Sequence, residues 1–168
     1  LLQLEIPLET VQTAIKLGRD HHKLVILNPA PAAPLPPDLL AMVDILTPNE
    51  SEGRTLASDS TLSTPEQILA RLVEKTGIDT IVMTLGSQGC LVWQKGQATH
   101  LPAFPITPVD TTAAGDAFNG ALAVALARSE PIIVAARYAN AAGALAATRP
   151  GAQPSLPTAE ELIAFLSG

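Results

Sequence analysis

Cysteine is almost missing: Cys90 is the single one in 168 residues. One thiol cannot close an internal disulfide and no signal peptide opens the sequence, so a reducing cytoplasm is the expected compartment. Cys90 lies between Gly89 and Leu91 in a strand-like run. That setting predicts a buried, inert thiol, because a reactive one needs an exposed electropositive site. Charge is scarce too, at 15% of residues, and the 10 Lys plus Arg are scattered through a chain of net charge −6. No basic stripe is present for a nucleic-acid backbone. Long apolar runs are also lacking: Arg128, Glu130, Pro131 and Arg137 break the stretch from Gly120 to Thr148. A membrane span needs roughly 20 uninterrupted apolar residues, so neither nucleic acid nor membrane is an expected partner.

Several common site motifs are absent. There is no GxxxxGK[ST] and no GxGxxG, and the stretch Leu85–Gly89 lacks the first glycine of a GxSxG elbow. GTPase-like, Rossmann and hydrolase readings lose their usual supports. His21 and His22 adjoin a helix end and His100 is isolated, so no histidine metal site is expected.

What is present is apolar and alternates in period. Hydrophobic residues make up 47% of the chain, and the length suits one hydrophobic core, so a single α/β domain over 1–168 is expected. "LLQLEI" reads as a strand that starts without methionine, as if partway through a fold. A helix from about Leu8 to His22, the strand "KLVIL", the loop "NPAPAAPLPP", a short helix at Asp38 to Met42 and the strand "DILT" follow. "NESEGRTLA" is helical with Asn49 available as cap, and Thr64 with Pro65 opens a helix that Gly77 stops. "TIVMTLG" is the strongest strand and is expected to be central. "CLVWQKGQATHLPAF" reads as a hairpin turning near Lys95 and Gly96. Helices at Gly115–Arg128, Pro131–Thr148 and Thr158–Leu166 complete the chain. The alternation implies right-handed βαβ units, helices on both faces of a sheet, and a ligand beyond the carboxyl ends of its strands.

Three elements can carry chemistry. In "VDTTAAGDAFNGALAVALA" a loop of small residues feeds an apolar helix whose first amides lack intrahelical partners, an arrangement that binds phosphate without lysine. Asp116, in the first turn, is either a plain helix-start carboxylate or a general base beside an anion hole. "TLGSQG", Thr84 to Gly89, is either a tight turn or a place where a nucleotide lies against main chain. In "TPNESE", Asn49 and Glu52 face one side of a helix start. They either cap it or offer a carboxylate that holds Mg²⁺ through water.

"NPAPA", "TPNESE", "TLGSQG", "DTTAAGDAFNGALA" and "GAQPS", in this order, resemble the ribokinase family of carbohydrate kinases over essentially the whole chain. Many members have glycine where Ala113 stands, but the Ala-Ala-Gly-Asp version also occurs. The resemblance implies a three-layer α/β/α ribokinase-like fold with a mostly parallel central sheet. It implies transfer of a phosphoryl group from ATP to D-ribose, giving D-ribose 5-phosphate. Asp116 would be the base and the amides of Ala113, Ala114, Gly115 and Asp116 the anion hole. Asn49, Thr84, Leu85, Gly86, Ser87, Gln88, Gly89 and Asn140 would contact ATP, Glu5 would contact ribose, and Glu52 would help to organise Mg²⁺. A monovalent-cation site for K⁺ would draw on Asp110, Thr112, Ala146, Arg149, Gly151 and Ser155, several through main-chain carbonyls. Relative to the family, the N-terminal part is expected to be absent, with most sugar contacts and the small β-sheet lid that mediates homodimerisation. The isolated chain is therefore expected to be inactive. Alternatives are a non-catalytic nucleotide-binding fragment, or a kinase of the same fold acting on fructose or a nucleoside.

Overall fold

The computed structural model describes every residue from Leu1 to Gly168. The chain divides into two compact units, Leu1–Leu85 with Leu91–His100, and Gly86–Cys90 with Leu101–Gly168.

The first unit is built on parallel strands and the helices that connect them. Helix α1 (Leu8–Asp20) leads to β1 (Ile26–Leu27), α2 (Pro37–Leu40) to β2 (Ile45–Leu46), and α3 (Glu50–Ala57) with α4 (Pro65–Thr76) to β3 (Thr80–Thr84). β1 pairs with β2 in parallel through Ile26↔Ile45 and Leu27↔Leu46, and β2 with β3 through Ile45↔Thr80 and Leu46↔Ile81. Strands β4 (Cys90–Gln94) and β5 (Gln97–Leu101) complete a five-stranded sheet in the order β1-β2-β3-β4-β5. β3 is central, as its β-branched run predicts.

Between β4 and β5, Lys95 and Gly96 both take positive φ, 51° and 82°. That is the backbone of a two-residue hairpin turn whose twist matches the strands. The helix signals also hold: Thr64 caps α4 with Pro65 at its first turn, and Gly77, at φ 65°, ends it. The opening "LLQLEI" departs from expectation. Of it only Leu2 makes a bridge, parallel to Leu27, flanked by Leu2 N–H to the Ile26 carbonyl and Asn28 N–H to the Leu2 carbonyl, each 2.9 Å. Beyond Asn28 the register is lost, the Leu4 N–H reaching the Ala30 carbonyl at 2.7 Å instead of that of Asn28, so the ladder does not extend.

The apolar face of each element meets in one core. Val11 and Ile15 of α1, Leu27 and Leu46 of the strands, Ile68, Leu69 and Leu72 of α4, and Ile81 and Met83 of β3 are fully buried within it. Each such side chain contributes about 1.5–3 kcal/mol relative to exposure. That is why four-residue spacing in α1 and near-continuous apolar runs in the strands specify the fold.

The second unit is helical: α5 (Ala114–Ala127), α6 (Ile132–Ala147) and α7 (Ala159–Ser167). Ala117, Ala141, Ala142, Ala146 and Leu162 form its core, with Phe104, Tyr138 and Phe165 packed against them. Phe104 and Phe165 meet with ring centroids 5.3 Å apart, and the Arg137 guanidinium lies 5.1 Å from the Phe104 ring. No helix is long and apolar enough to cross a membrane.

Candidate active site

In the first unit the end of β3 and the start of α3 are joined. Asn49 bridges Thr84 in parallel register, and the Thr84 N–H donates to the Pro48 carbonyl at 2.9 Å. Asn49 and Glu52 form a reciprocal capping box: the Glu52 N–H donates to Asn49 Oδ1 at 2.9 Å, and the Asn49 N–H to Glu52 Oε2 at 2.8 Å. Asn49 Nδ2 also donates to Glu52 Oε1 at 2.9 Å. Of the two readings the sequence offers, the structure shows the cap, with the Glu52 carboxylate as its second half. Glu52 is buried, and burial pushes its carboxyl above the ordinary glutamate range, opposed by the Asn49 amide. Glu5 is exposed and follows Leu4, whose N–H donates to the Ala30 carbonyl at 2.7 Å. The "LQLE" and "NPAPA" segments are therefore neighbours.

In the second unit the stretch after β3 is a single 3₁₀ turn, Gly86–Gln88. Its three residues are exposed, while Gly89 is buried. Gly89 has φ 96° and the Gly89 N–H donates to the Gly86 carbonyl at 3.1 Å. The start of α5 is unlike those of α3, α4 and α7, each of which has a full capping box. Its N-cap is Ala113, with no side-chain cap. The Ala114 N–H donates to the Thr111 carbonyl at 3.2 Å. Gly115 and Asp116 follow in the first turn, both exposed, where an α-helix leaves its amides without intrahelical acceptors. Phosphate-sized anions suit such a turn because the N-cap Ala113 brings no side chain to compete for its donors.

Two of the residues implied for the cation site, Thr112 and Gly151, meet at Asp110. Its Oδ1 accepts from the Thr112 N–H at 3.0 Å and the Thr112 hydroxyl at 2.6 Å, and its Oδ2 from the Gly151 N–H at 2.9 Å. These bonds hold the Asp110 carboxyl below the usual aspartate range. The Ala146 carbonyl accepts from the Arg149 N–H at 3.2 Å. Ser155 is buried, its hydroxyl donating to the Ala152 carbonyl at 2.7 Å. The Arg149 guanidinium is engaged elsewhere, making two bonds of 3.1 and 2.8 Å to the Glu161 carboxylate. Only the main chain of Arg149 is then suited to a cation. The donor set is one carboxylate, hydroxyls and carbonyls, hard oxygens of the kind that replace the hydration shell of K⁺. No group of three or more His, Cys, Asp or Glu that could hold a metal exists. A divalent ion would therefore rely on water and on the phosphates it accompanies, as Mg²⁺ commonly does.

Two features escaped the sequence reading. The bond from Gly151 to Asp110 carries no local signal, since the Asp-x-Thr pattern marks only the Asx turn to Thr112. The Thr158-x-x-Glu161 pattern signals the capping role of Glu161 but not its pairing with Arg149. Cys90 is free and buried, as expected, and burial pushes its thiol up to about 12, with the Asn140 side chain opposing.

Residues 1–159 match the pfkB family of carbohydrate kinases. The chain is 40% identical to the ribokinase of Haemophilus influenzae over 167 residues, which cover 99% of this chain and 55% of that protein. Among solved structures it is similar to ribokinase from Thermotoga maritima, with a TM-score of 0.90, 39% identity, and coverage of 99% of this chain and 55% of the other. It is also similar to Arabidopsis thaliana ribokinase complexed with ribose and ATP, with a TM-score of 0.92, 33% identity and the same coverages. The chain spans about half the length of the relatives it matches. Its mostly parallel sheet and helices follow the ribokinase-like α/β fold of these neighbours, and the chain belongs to the pfkB family of carbohydrate kinases.

Proposed function

We propose that the full-length protein is an ATP-dependent sugar kinase that converts D-ribose to D-ribose 5-phosphate. The observation that carries this reading is the start of α5, where Asp116 stands in the first turn of a helix that Ala113 leaves without a side-chain cap. Family membership and the ribose and ATP complex of the Arabidopsis relative support it.

Asp116 takes the proton of the sugar's primary hydroxyl, whose oxygen attacks the γ-phosphorus as the bond to the β,γ-bridging oxygen breaks and ADP leaves. The amides of the Ala113–Asp116 turn and the α5 dipole stabilise the charge on the transferring group. The Ala114 amide, turned to Thr111, contributes less than its successors. Asn49 and Thr84–Gly89 hold the nucleotide, with Gly86–Gln88 exposed to receive it. Glu52 orders the Asn49 turn and would help to hold Mg²⁺ through water, an ion that would supply charge neutralisation to the phosphates. Asp110, Thr112 and the carbonyls of Ala146, Arg149 and Gly151, with Ser155, would hold K⁺. That ion would supply positive charge near the anion hole. Glu5 and the adjoining "NPAPA" segment contribute to the sugar side.

The remaining proposals concern the whole protein: one α/β domain over residues 1–168, a homodimer assembled through an upstream lid, and a cytoplasmic location. The isolated chain would bind Mg-ATP without turning over ribose. Ribose-dependent ADP formation, compared between the full-length protein and the isolated chain, tests the reading. Activity in the isolated chain would assign the sugar contacts to residues 1–168. No ribose stimulation in the full-length protein would overturn the substrate.

A further inference from the structure

Asn140 sits in α6 in the run Ala139-Asn140-Ala141-Ala142, buried where every neighbour in sequence is alanine. A buried amide needs partners, and its Nδ2 has them in the Leu101 carbonyl at 3.3 Å and the Pro102 carbonyl at 3.5 Å. The same segment is met by Gly89. A Cβ on Gly89 would lie 2.1 Å from the Leu101 oxygen, 2.6 Å from the Ala103 nitrogen and 2.7 Å from the Pro102 carbonyl carbon. All three are main-chain atoms, which cannot swing aside, and the φ of 96° already disfavours a side chain. Gly86, three residues earlier, has nothing within 4 Å of such a Cβ. Tight approach is therefore confined to the buried end of the loop, while its exposed end stays open.

We propose that Gly89 and Asn140 clasp the segment Leu101–Ala103, and that through this clasp Asn140 positions the Gly86–Gly89 loop that meets the nucleotide. This rests on the nucleotide-binding reading of that loop. α6 supplies the amide, the 101–103 main chain transmits its position, and the glycine lets the loop seat against that main chain. Both ends and the link lie within the second compact unit. Asn140 is a positioning residue.

The test compares Asn140→Ala, Asn140→Asp and Gly89→Ala in the full-length protein, with Gly120→Ala as control. A Cβ at Gly120 meets nothing within 4 Å. Mg-ATP and Mg-GTP are titrated by calorimetry, and amide hydrogen exchange is followed without nucleotide. Loss of the clasp weakens ATP and GTP by the same factor, about tenfold for Asn140→Ala. It also speeds exchange in residues 86–90 and 101–103, with α5 unchanged. Asn140→Asp is at least as severe, because a carboxylate brings no N–H to the two carbonyls. Weakening of ATP alone, or faster exchange confined to α6, overturns the proposal in favour of direct base contact or simple packing. If the unaltered protein binds neither nucleotide, the proposed function fails, and the exchange pattern still decides the clasp.

Discussion

The Asp110 carboxylate accepts a 2.9 Å hydrogen bond from the Gly151 amide, tying together two loops that α5 and α6 separate in sequence. Thr112 supplies two further donors to the same group. Because these bonds lower the folded-state pKa, their stabilisation is fully present above the ordinary aspartate range. It is lost as pH falls through the depressed folded value. Asp110→Asn keeps the shape but replaces one acceptor by a donor, so one loop bond is lost. A lower Tm at pH 7, a flatter acid limb and a smaller Tm difference between K⁺ and tetramethylammonium buffers are the expected outcomes, read by calorimetry from pH 3 to 7.

Glu52 behaves in the opposite sense. Its folded pKa is raised by burial, so the native state binds the proton more readily than the unfolded chain. Its contribution therefore turns unfavourable as pH rises from the ordinary glutamate range through the folded value. Glu52→Gln removes that slope: relative to the unaltered protein its Tm gains on going from pH 4 to 7. If the two Tm curves stay parallel across this range, burial does not govern Glu52. In the kinase reading the same substitution raises KM for Mg-ATP.

Gly53 in α3 is packed without room to spare. An added Cβ would lie 2.8 Å from Ile68 Cγ2 and 3.4 Å from Met83 Sδ. Ile68 is fully buried and its branched side chain is stiff. Overpacking of this kind costs about 1–3 kcal/mol, more than the roughly 1 kcal/mol gained by removing glycine from a helix. Gly53→Ala is expected to lower the denaturation midpoint, and a raised midpoint would show that the contact relaxes freely.

The cap of α7 has a double role. Thr158 and Glu161 form its capping box, and Glu161 also receives both hydrogen bonds from Arg149. Thr158→Ala is expected to cost about 1 kcal/mol, as cap removals commonly do. Glu161→Ala should cost more, since it takes away cap and ion-pair partner together. Urea denaturation of the two variants ranks them, and equal losses would show that Arg149 contributes nothing.

Much of this fold was legible because its signals are local. Asn49, Thr64 with Pro65, Gly77, and the Lys95-Gly96 turn each specify backbone within a few residues, and each appears where the sequence places it. The first turn of α5 was legible for the same reason. The extent of the opening strand was not. Leu2 and Leu4 alternate as a strand does, but ladder length depends on the partner, which leaves register past Asn28 so that Leu4 meets the Ala30 carbonyl. Asn140 was illegible without the family resemblance, because the carbonyls that satisfy its amide belong to residues almost forty positions away. The pairing of Asp110 with Gly151 is long-range in the same way.

The most direct test of the account is ADP formation from Mg-ATP in K⁺ buffer by the full-length protein, with and without D-ribose, comparing the unaltered protein with Asp116→Asn. Ribose should stimulate turnover. The substitution should lower kcat by about 10²–10⁴-fold, the range for loss of a general base, while Mg-ATP binding is retained. Ribose-stimulated turnover that survives in Asp116→Asn would contradict the assignment of the base at the start of α5, and with it the central claim.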